Sequence, residues 1–129
     1  VTDWFGGYVK SLVYGKSWML VLIIICLLYY YAHYMFASMT AHISALYATF
    51  IVVCLTAGAP PMVTALLLGV ASSLSAGLTH YGTGSAPVYF GSNYVTLTEW
   101  WMYGFFVSVI NIIIWTLFGG VWWKVLGYW

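Results

Sequence analysis

The stretch Ala37-Ser38-Met39-Thr40-Ala41-His42 is a short polar break between two long apolar runs, residues 17–36 and 43–57. A second break, THYGTGSAP at residues 79–87, interrupts a later apolar run in a similar way. Non-helical backbone at membrane depth is tolerated only where it is buried in protein or lines a cavity. We therefore expect the two breaks to meet near the middle of a bilayer and to hold a small anionic solute.

The composition indicates an all-α integral membrane protein. Hydrophobic residues make up 64% of the 129 residues and charged residues 4%, which is too few charges to cover a soluble domain. Eight Trp and twelve Tyr are typical of aromatic belts at membrane interfaces. The absence of arginine and the scattered lysines exclude a basic patch for nucleic acid, which needs clustered cations. The surface is expected to face lipid.

The first half of the chain divides into two segments. Residues 1–16 place apolar groups on one helical face, which predicts a short interfacial helix or a connector. Residues 17–57 hold two apolar arms that are either two full spans or one re-entrant hairpin. The tip between the arms carries no charge to anchor it in water, and this favours the hairpin. Gly58-Ala59-Pro60-Pro61 then ends the second arm, because proline cannot continue a helix.

Residues 58–98 are predicted to form a broken transmembrane helix followed by a loop. Small residues in 62–78 allow close helix packing, and the glycines and proline of the second break then interrupt the helix. Residues 88–91 are expected to resume a short helix before a polar loop. In this helix the hydroxyls of Ser72, Ser73, Ser75 and Thr64 are candidates for hydrogen bonds between helices, and a role in a binding site is left open beside this.

Residues 99–129 are predicted to form the last transmembrane helix and an interfacial tail. The apolar run covers residues 100–118, and Asn111 is its one strongly polar residue. Gly119-Gly120 and the following Trp122-Trp123-Lys124 indicate the exit of the chain through the interface.

The chemistry of the two breaks favours an anion. A helix N-terminus presents free N–H groups and a partial positive charge, which suits a carboxylate. Thr40 is predicted to cap an arm that begins at Ala41, so that the amides of residues 41–43 point into the break. Further hydroxyls come from Ser38, Thr83 and Ser85, and Gly82 and Gly84 allow close approach of a ligand to the backbone.

Unpaired carbonyl groups at the same breaks are candidate ligands for Na⁺, as in the unwound helices of transporters. No acidic residue lies nearby, which argues against a carboxylate-based Ca²⁺ site. We expect no other metal and no organic cofactor.

The three histidines leave several interpretations open. His42 and His80 are candidates for a proton or polar relay, and all three histidines could instead be hydrogen-bonded structural groups. A different class of function is a haem b-binding membrane anchor subunit with axial ligands among His33, His42 and His80. A purely structural membrane subunit is the third alternative. No nucleophile–base pairing, phosphate loop or zinc spacing is present, so we expect no enzyme.

Two longer motifs carry a resemblance to a known family. They are HYMFASMTAHISA at residues 33–45 and THYGTGSAPVYFGS at residues 79–92. The chain resembles the divalent anion:Na⁺ symporter superfamily, and most closely its branch of 2-oxoglutarate/malate translocators and citrate/succinate antiporters. The similarity runs over essentially the whole chain, although family proteins are several times longer. The chain therefore looks like the C-terminal part of such a transporter.

The resemblance implies a re-entrant hairpin over residues 17–57 with its tip at Ser38-Met39-Thr40. It implies that carboxylate substrate is bound by residues of both breaks: Ser38, Met39, Thr40, Thr83 and Gly84. The backbone positions that it implies for sodium are Ala37, Met39 and Gly82.

Two departures from the sodium-coupled pattern favour exchange over sodium coupling. Met39 replaces the Asn of the family's Ser-Asn-Thr tip, and Thr83-Gly84 replaces a Thr-Pro pair. The resemblance then implies exchange of di- and tricarboxylates such as 2-oxoglutarate, malate, succinate or citrate, by an elevator-type motion in a homodimer. The expected partners are the substrate, the bilayer and the remaining N-terminal part of the transporter. The expected location is the bacterial inner membrane, with the plastid inner envelope as the alternative.

Overall fold

The computed structural model describes residues 7–8, 11 and 14–129, and most of the predicted interfacial helix or connector at residues 1–16 lies outside these. The described residues form helices joined by short turns, with no strand among them. Three helical segments are long and apolar enough to cross a membrane: Trp18–Met35, Met39–Thr56 and Leu97–Val125. The prediction of an all-α membrane protein is confirmed.

The first two helices form a pair of packed arms. Helix α1 spans Trp18–Ala32, with Ser17 as its N-cap, and continues into a 3₁₀ turn at His33–Met35. Helix α2 spans Met39–Thr56 and packs against α1. Gly58, with a left-handed φ of 85°, follows the end of α2 and turns the chain toward Pro60.

The first break is shorter than the sequence indicates. The sequence predicts a second arm that begins at Ala41, with an apolar run of about 15 residues at 43–57, near the lower limit of a span. Instead α2 begins at Met39 and has 18 residues. The reason is that Ser38 supplies the N-cap, so that the polar residues after it form the first turn of the helix.

Helix α3 spans Pro61–Leu74 and ends in a 3₁₀ turn at Ser75–Gly77. It packs against both arms, and hydrogen bonds accompany the apolar contacts. The Tyr29 hydroxyl lies 2.7 Å from Ser72 Oγ, and the Tyr47 hydroxyl donates to the Ala65 carbonyl at 2.9 Å. Ser72 thus bonds between helices as predicted, whereas Thr64 donates to the Pro60 carbonyl of its own helix.

The core lies among α1, α2 and α3. Its fully buried members come from all three helices and include Val21, Ile25, Tyr29, Tyr30, Phe50, Cys54 and Leu68. Cys26 and Cys54 are both free and buried, so they are packed as small hydrophobic groups. This three-helix core holds the ends of α1 and α3 close together, where the two breaks begin.

The second break occupies residues 78–85, and helix α4 follows at Ala86–Gly91. The expected short helix therefore exists, but it begins two residues before residue 88. Pro87 lies in its first turn, where the missing N–H of proline has no intrahelical partner to lose.

The last helical segment is longer and less regular than predicted. Helix α5 spans Leu97–Ile114, a π-helical turn follows at Trp115–Gly119, and α6 spans Gly120–Val125. Gly119 and Gly120 both have helical φ and ψ angles, so the helix runs on past the apolar run of residues 100–118 to Val125, and the exit through the interface near Gly119-Gly120 stays a prediction. The rings of Trp115 and Trp123 pack beside Gly119, where an added Cβ would lie 3.3 Å from the Trp115 ring and 3.5 Å from the Trp123 ring.

Candidate functional site

The first break presents the N-terminus of a long helix. Ser38 is extended, and its Oγ accepts a hydrogen bond from the Ala41 amide at 3.4 Å. The first backbone bond of α2 runs from the His42 amide to the Ser38 carbonyl at 3.1 Å. The amides of Met39 and Thr40 precede this bond and are therefore free of the helical ladder.

The prediction that Thr40 caps this helix is wrong, because Ser38 does so. Thr40 instead lies in the first turn of α2 with an exposed side chain. Ala37 and Ser38 are also exposed, and Met39 is half-buried. The first break therefore combines exposed hydroxyls with the positive end of an 18-residue helix, an arrangement that suits a carboxylate.

The second break is partly closed by its own hydrogen bonds. Thr83 Oγ1 accepts a hydrogen bond from the Ala86 amide at 3.1 Å and lies 3.3 Å from Ser85 Oγ. Gly84 is exposed, and a Cβ added to it would meet no atom within 4 Å. A ligand could approach the backbone at Gly84 closely.

Gly82 has a different environment. It is buried, and an added Cβ would lie 2.5 Å from His33 Nε2 and 2.7 Å from Thr79 Oγ1. The side chains of His33 and Thr79 thus occupy the space beside Gly82 that was predicted to admit a ligand. The Gly82 backbone carbonyl, like those of Ala37 and Met39, remains only a predicted ligand for sodium.

The two breaks meet where residues just before the first break contact residues within the second. His33, in the 3₁₀ turn before the first break, contacts Gly82 in the second. The neighbouring Tyr81 hydroxyl donates to the Tyr34 carbonyl at 2.7 Å. Within the described residues, no hydrogen bond joins the predicted substrate-binding residues of the tip to Thr83 or Gly84.

His33 and His42 lie together inside the protein. Both are fully buried, and their ring centroids are 5.1 Å apart. His42 also stacks on Tyr29, with centroids 4.4 Å apart, and packs against Phe36. The two imidazoles are too close for a porphyrin to lie between them, which disfavours the haem-anchor alternative.

His80 lies apart from this pair. Its ring packs against Phe90 at 4.8 Å between centroids, and the Trp101 indole N–H donates to His80 Nδ1 at 3.3 Å. No contact joins His80 to His42 in the described part of the chain, so the two candidate relay residues are not direct partners. The contact of His33 with Gly82 was not predicted, because nothing in the sequence indicates which residues pair across two separate apolar runs.

No charged side chain belongs to either break. Among the described residues, no three His, Cys, Asp or Glu side chains are grouped closely enough to hold a metal ion. The site can therefore bind an anion through backbone amides, hydroxyl groups and the N-terminus of a helix.

A family model and several curated transporters match this chain. A family model described as the transmembrane region of sodium:sulfate symporters matches residues 1–129. The chain is 50% identical to dicarboxylate transporter 1, chloroplastic, of Arabidopsis thaliana, with 98% of this chain and 23% of that protein covered. It is 50% identical to the putative malate transporter YflS of Bacillus subtilis, with 100% and 27% covered. The L-tartrate/succinate antiporter of Escherichia coli is 32% identical, with 96% and 26% covered. The chain spans about a quarter of the length of these curated relatives.

Proposed function

Because the chain belongs to the sodium:sulfate symporter family, the divalent anion:sodium symporters, we propose that it is the C-terminal, substrate-binding part of a secondary transporter for di- and tricarboxylates. The relatives that cover the chain almost completely are named for dicarboxylate, malate and tartrate/succinate transport. The remaining N-terminal part would supply the scaffold, and the complete protein would act as a homodimer by an elevator-type motion.

The observation that carries this proposal is the meeting of two helix breaks at the ends of α1 and α3. In an apolar membrane segment, unpaired backbone groups are costly unless they are buried or face a polar cavity. Here Tyr81 and Gly82 of one break contact Tyr34 and His33 beside the other, while the hydroxyls at the tip remain exposed. A carboxylate placed against Ser38, Thr40 and the free amides of α2 would satisfy these groups.

We assign the main role in carboxylate binding to the first break. The helix that follows it has 18 residues and presents amides ahead of its first ladder bond. The helix after the second break has six residues, and the Thr83 hydroxyl already accepts a hydrogen bond from its first amide. Thr83 would contribute its hydroxyl hydrogen, and Gly84 would contribute open space.

The proposed mode is exchange rather than sodium-driven uptake. Met39 at the tip offers no side-chain amide to a ligand or to a sodium site, and the described residues hold no carboxylate at either break. A counter-substrate would then occupy the same site on the return step. The sodium-gradient conditions of the experiment below test whether transport is coupled to Na⁺.

The test is uptake of radiolabelled malate and 2-oxoglutarate by the complete transporter in proteoliposomes. Vesicles preloaded with an unlabelled dicarboxylate are compared with empty vesicles, each with and without a sodium gradient. We expect uptake that requires the internal dicarboxylate and ignores sodium. Sodium-driven uptake into empty vesicles would contradict exchange, and the absence of uptake under every condition would contradict the transport function itself.

A further inference from the structure

Three buried polar side chains at the junction of the two breaks make no hydrogen bond. They are His33, His42 and Thr79, each fully buried. Both ring nitrogens of each histidine and Thr79 Oγ1 have no hydrogen-bond partner among the described residues. The rings of His33 and His42 do lie beside the backbone of Gly82 and Tyr29, but neither pair reaches hydrogen-bond geometry. Buried polar groups without partners are rare in folded proteins, so this cluster needs a reason.

The cluster is built around Gly82. A Cβ at this position would lie 2.5 Å from His33 Nε2 and 2.7 Å from Thr79 Oγ1, distances that real Cβ atoms do not adopt. Gly82 is not among the glycines with positive φ, so its backbone would accept other residues. Glycine is therefore required here by the His33 ring and the Thr79 hydroxyl, and not by its conformation.

The His33 ring also packs against the ring of His42. The centroid of the His42 ring lies 5.1 Å from that of His33, and Tyr29 stacks on His42 at 4.4 Å between centroids and an interplanar angle of 27°. This stack runs from α1 through α2 to the second break. Two residues after Gly82, the backbone at Gly84 is open, so the stack fixes one end of the predicted binding loop and leaves the other end free.

We propose that His33 is a positioning residue for the carboxylate site. Its imidazole fills the space beside Gly82 and so sets the distance between the tip of the α1–α2 pair and the Thr83–Gly84 segment. His33 acts through the position of the loop and does not itself contact the substrate. This inference rests on the proposed transport function, which it deepens by naming the residue that fixes the geometry of the site.

The proposal predicts a specific pattern in a pair of substitutions made in the complete transporter. Gly82→Ala places a methyl group against the His33 ring and displaces the loop. We expect the KM for malate exchange to rise by about tenfold or more, with a smaller change in the maximal rate. The reason is that moving a substrate-binding group by about 1 Å can weaken its interaction strongly. Adding His33→Ala to Gly82→Ala removes the closer of the two collisions and leaves the one with Thr79 Oγ1, so the double variant should have a KM clearly below that of Gly82→Ala alone.

The matched control is Gly91→Ala, at the end of α4, where an added Cβ meets no atom within 4 Å. It should leave both KM and maximal rate unchanged. A Gly82→Ala transporter with an unchanged KM would overturn the proposal, and so would a double variant no better than Gly82→Ala alone.

A second variant decides the matter if Gly82→Ala is not recovered as folded protein on size-exclusion chromatography. His33→Asn keeps a polar group but shortens it, and it should raise the KM while the maximal rate is retained. An unchanged KM in His33→Asn would overturn the positioning role alone, provided that the unmodified transporter exchanges malate. An unmodified transporter that moves no dicarboxylate would overturn the proposed function together with this inference.

Discussion

The two helix breaks differ in their length, in the helix that follows each of them and in the side chains that hold them. The first break is brief and leads directly into the long helix α2, with Ser38 as its cap and its hydroxyl groups exposed. The second is longer, leads into the six-residue helix α4, and is held by His33 and by the Tyr81–Tyr34 hydrogen bond. A long helix gives a strong and accessible N-terminus, whereas a loop held by side chains gives a fixed position. We infer that the first break binds the carboxylate and that the second aligns it.

The largest effect is expected from Thr40→Ala at the first break. Loss of one hydroxyl that donates to a carboxylate removes a hydrogen bond to a charged group, worth about 1.5–3 kcal/mol. Dicarboxylate exchange at low substrate concentration should fall by roughly 10- to 100-fold in proteoliposomes. Ser44→Ala, one turn further along α2 and also exposed, is the matched control and should exchange normally. Normal exchange by the Thr40→Ala variant would place the carboxylate elsewhere.

A smaller effect is expected where the second break begins. A Cβ at Gly104 of α5 would lie 2.8 Å from the Gly77 carbonyl oxygen and 3.0 Å from that of Leu78, and backbone cannot yield as a side-chain end can. Gly104→Ala should therefore destabilise the protein by about 1–3 kcal/mol, as overpacking does. The measurement is the melting temperature of the purified transporter. Gly120→Ala, with no atom within 4 Å of its added Cβ, should melt as the unmodified protein does.

The cap at the first break can be tested separately from substrate binding. Ser38→Ala removes the acceptor of the Ala41 amide and should cost about 0.5–2 kcal/mol of stability, whereas Ser38→Gly should cost only a few tenths. Thermal unfolding without substrate measures both. Equal losses in the two variants would show that Ser38 does not act as the N-cap of α2.

The smallest effect is expected from the hydrogen bond between the breaks. Tyr81→Phe removes the donor to the Tyr34 carbonyl and should cost about 0.5–1.5 kcal/mol in thermal unfolding. Tyr89→Phe is the control, since Tyr89 is 67% exposed on the short helix α4. A Tyr81→Phe variant as stable as the control would mean that the second break is positioned by His33 without this bond.

Composition and apolar runs were sufficient to predict the all-α membrane class, whereas the re-entrant hairpin and the broken transmembrane helix stay predictions. These sequence features failed at helix ends, because an end depends on which hydroxyl reaches a free amide. Ser38 and Thr40 are both acceptable caps in sequence, and only the extended backbone of Ser38 decides between them. The same limit applies to the last helix: its apolar run ends at residue 118, but the helix continues past Gly119-Gly120, where the rings of two tryptophans pack beside it.

The contacts between the two breaks could not be predicted from the sequence. The sequence offers His33 as a structural group or a haem ligand and Gly82 as a point of ligand approach or a carbonyl ligand for sodium, and it does not indicate that the two residues contact each other. Their contact depends on how the α1–α2 pair packs against α3, over a separation of many residues. A glycine that is needed for space has no signature in a single sequence, in contrast to one next to a proline pair.

The most direct test asks whether one substrate protects both breaks. Cysteines are introduced singly as Ala37→Cys and Gly84→Cys, with Cys26 and Cys54 replaced by alanine, and labelling by a maleimide is timed with and without malate. Both positions are exposed, and Ser73→Cys on the exposed side of α3 serves as the control. We predict that malate slows labelling at residues 37 and 84 and leaves residue 73 unchanged. Labelling that malate does not slow at either break would contradict a carboxylate site formed where the two breaks meet.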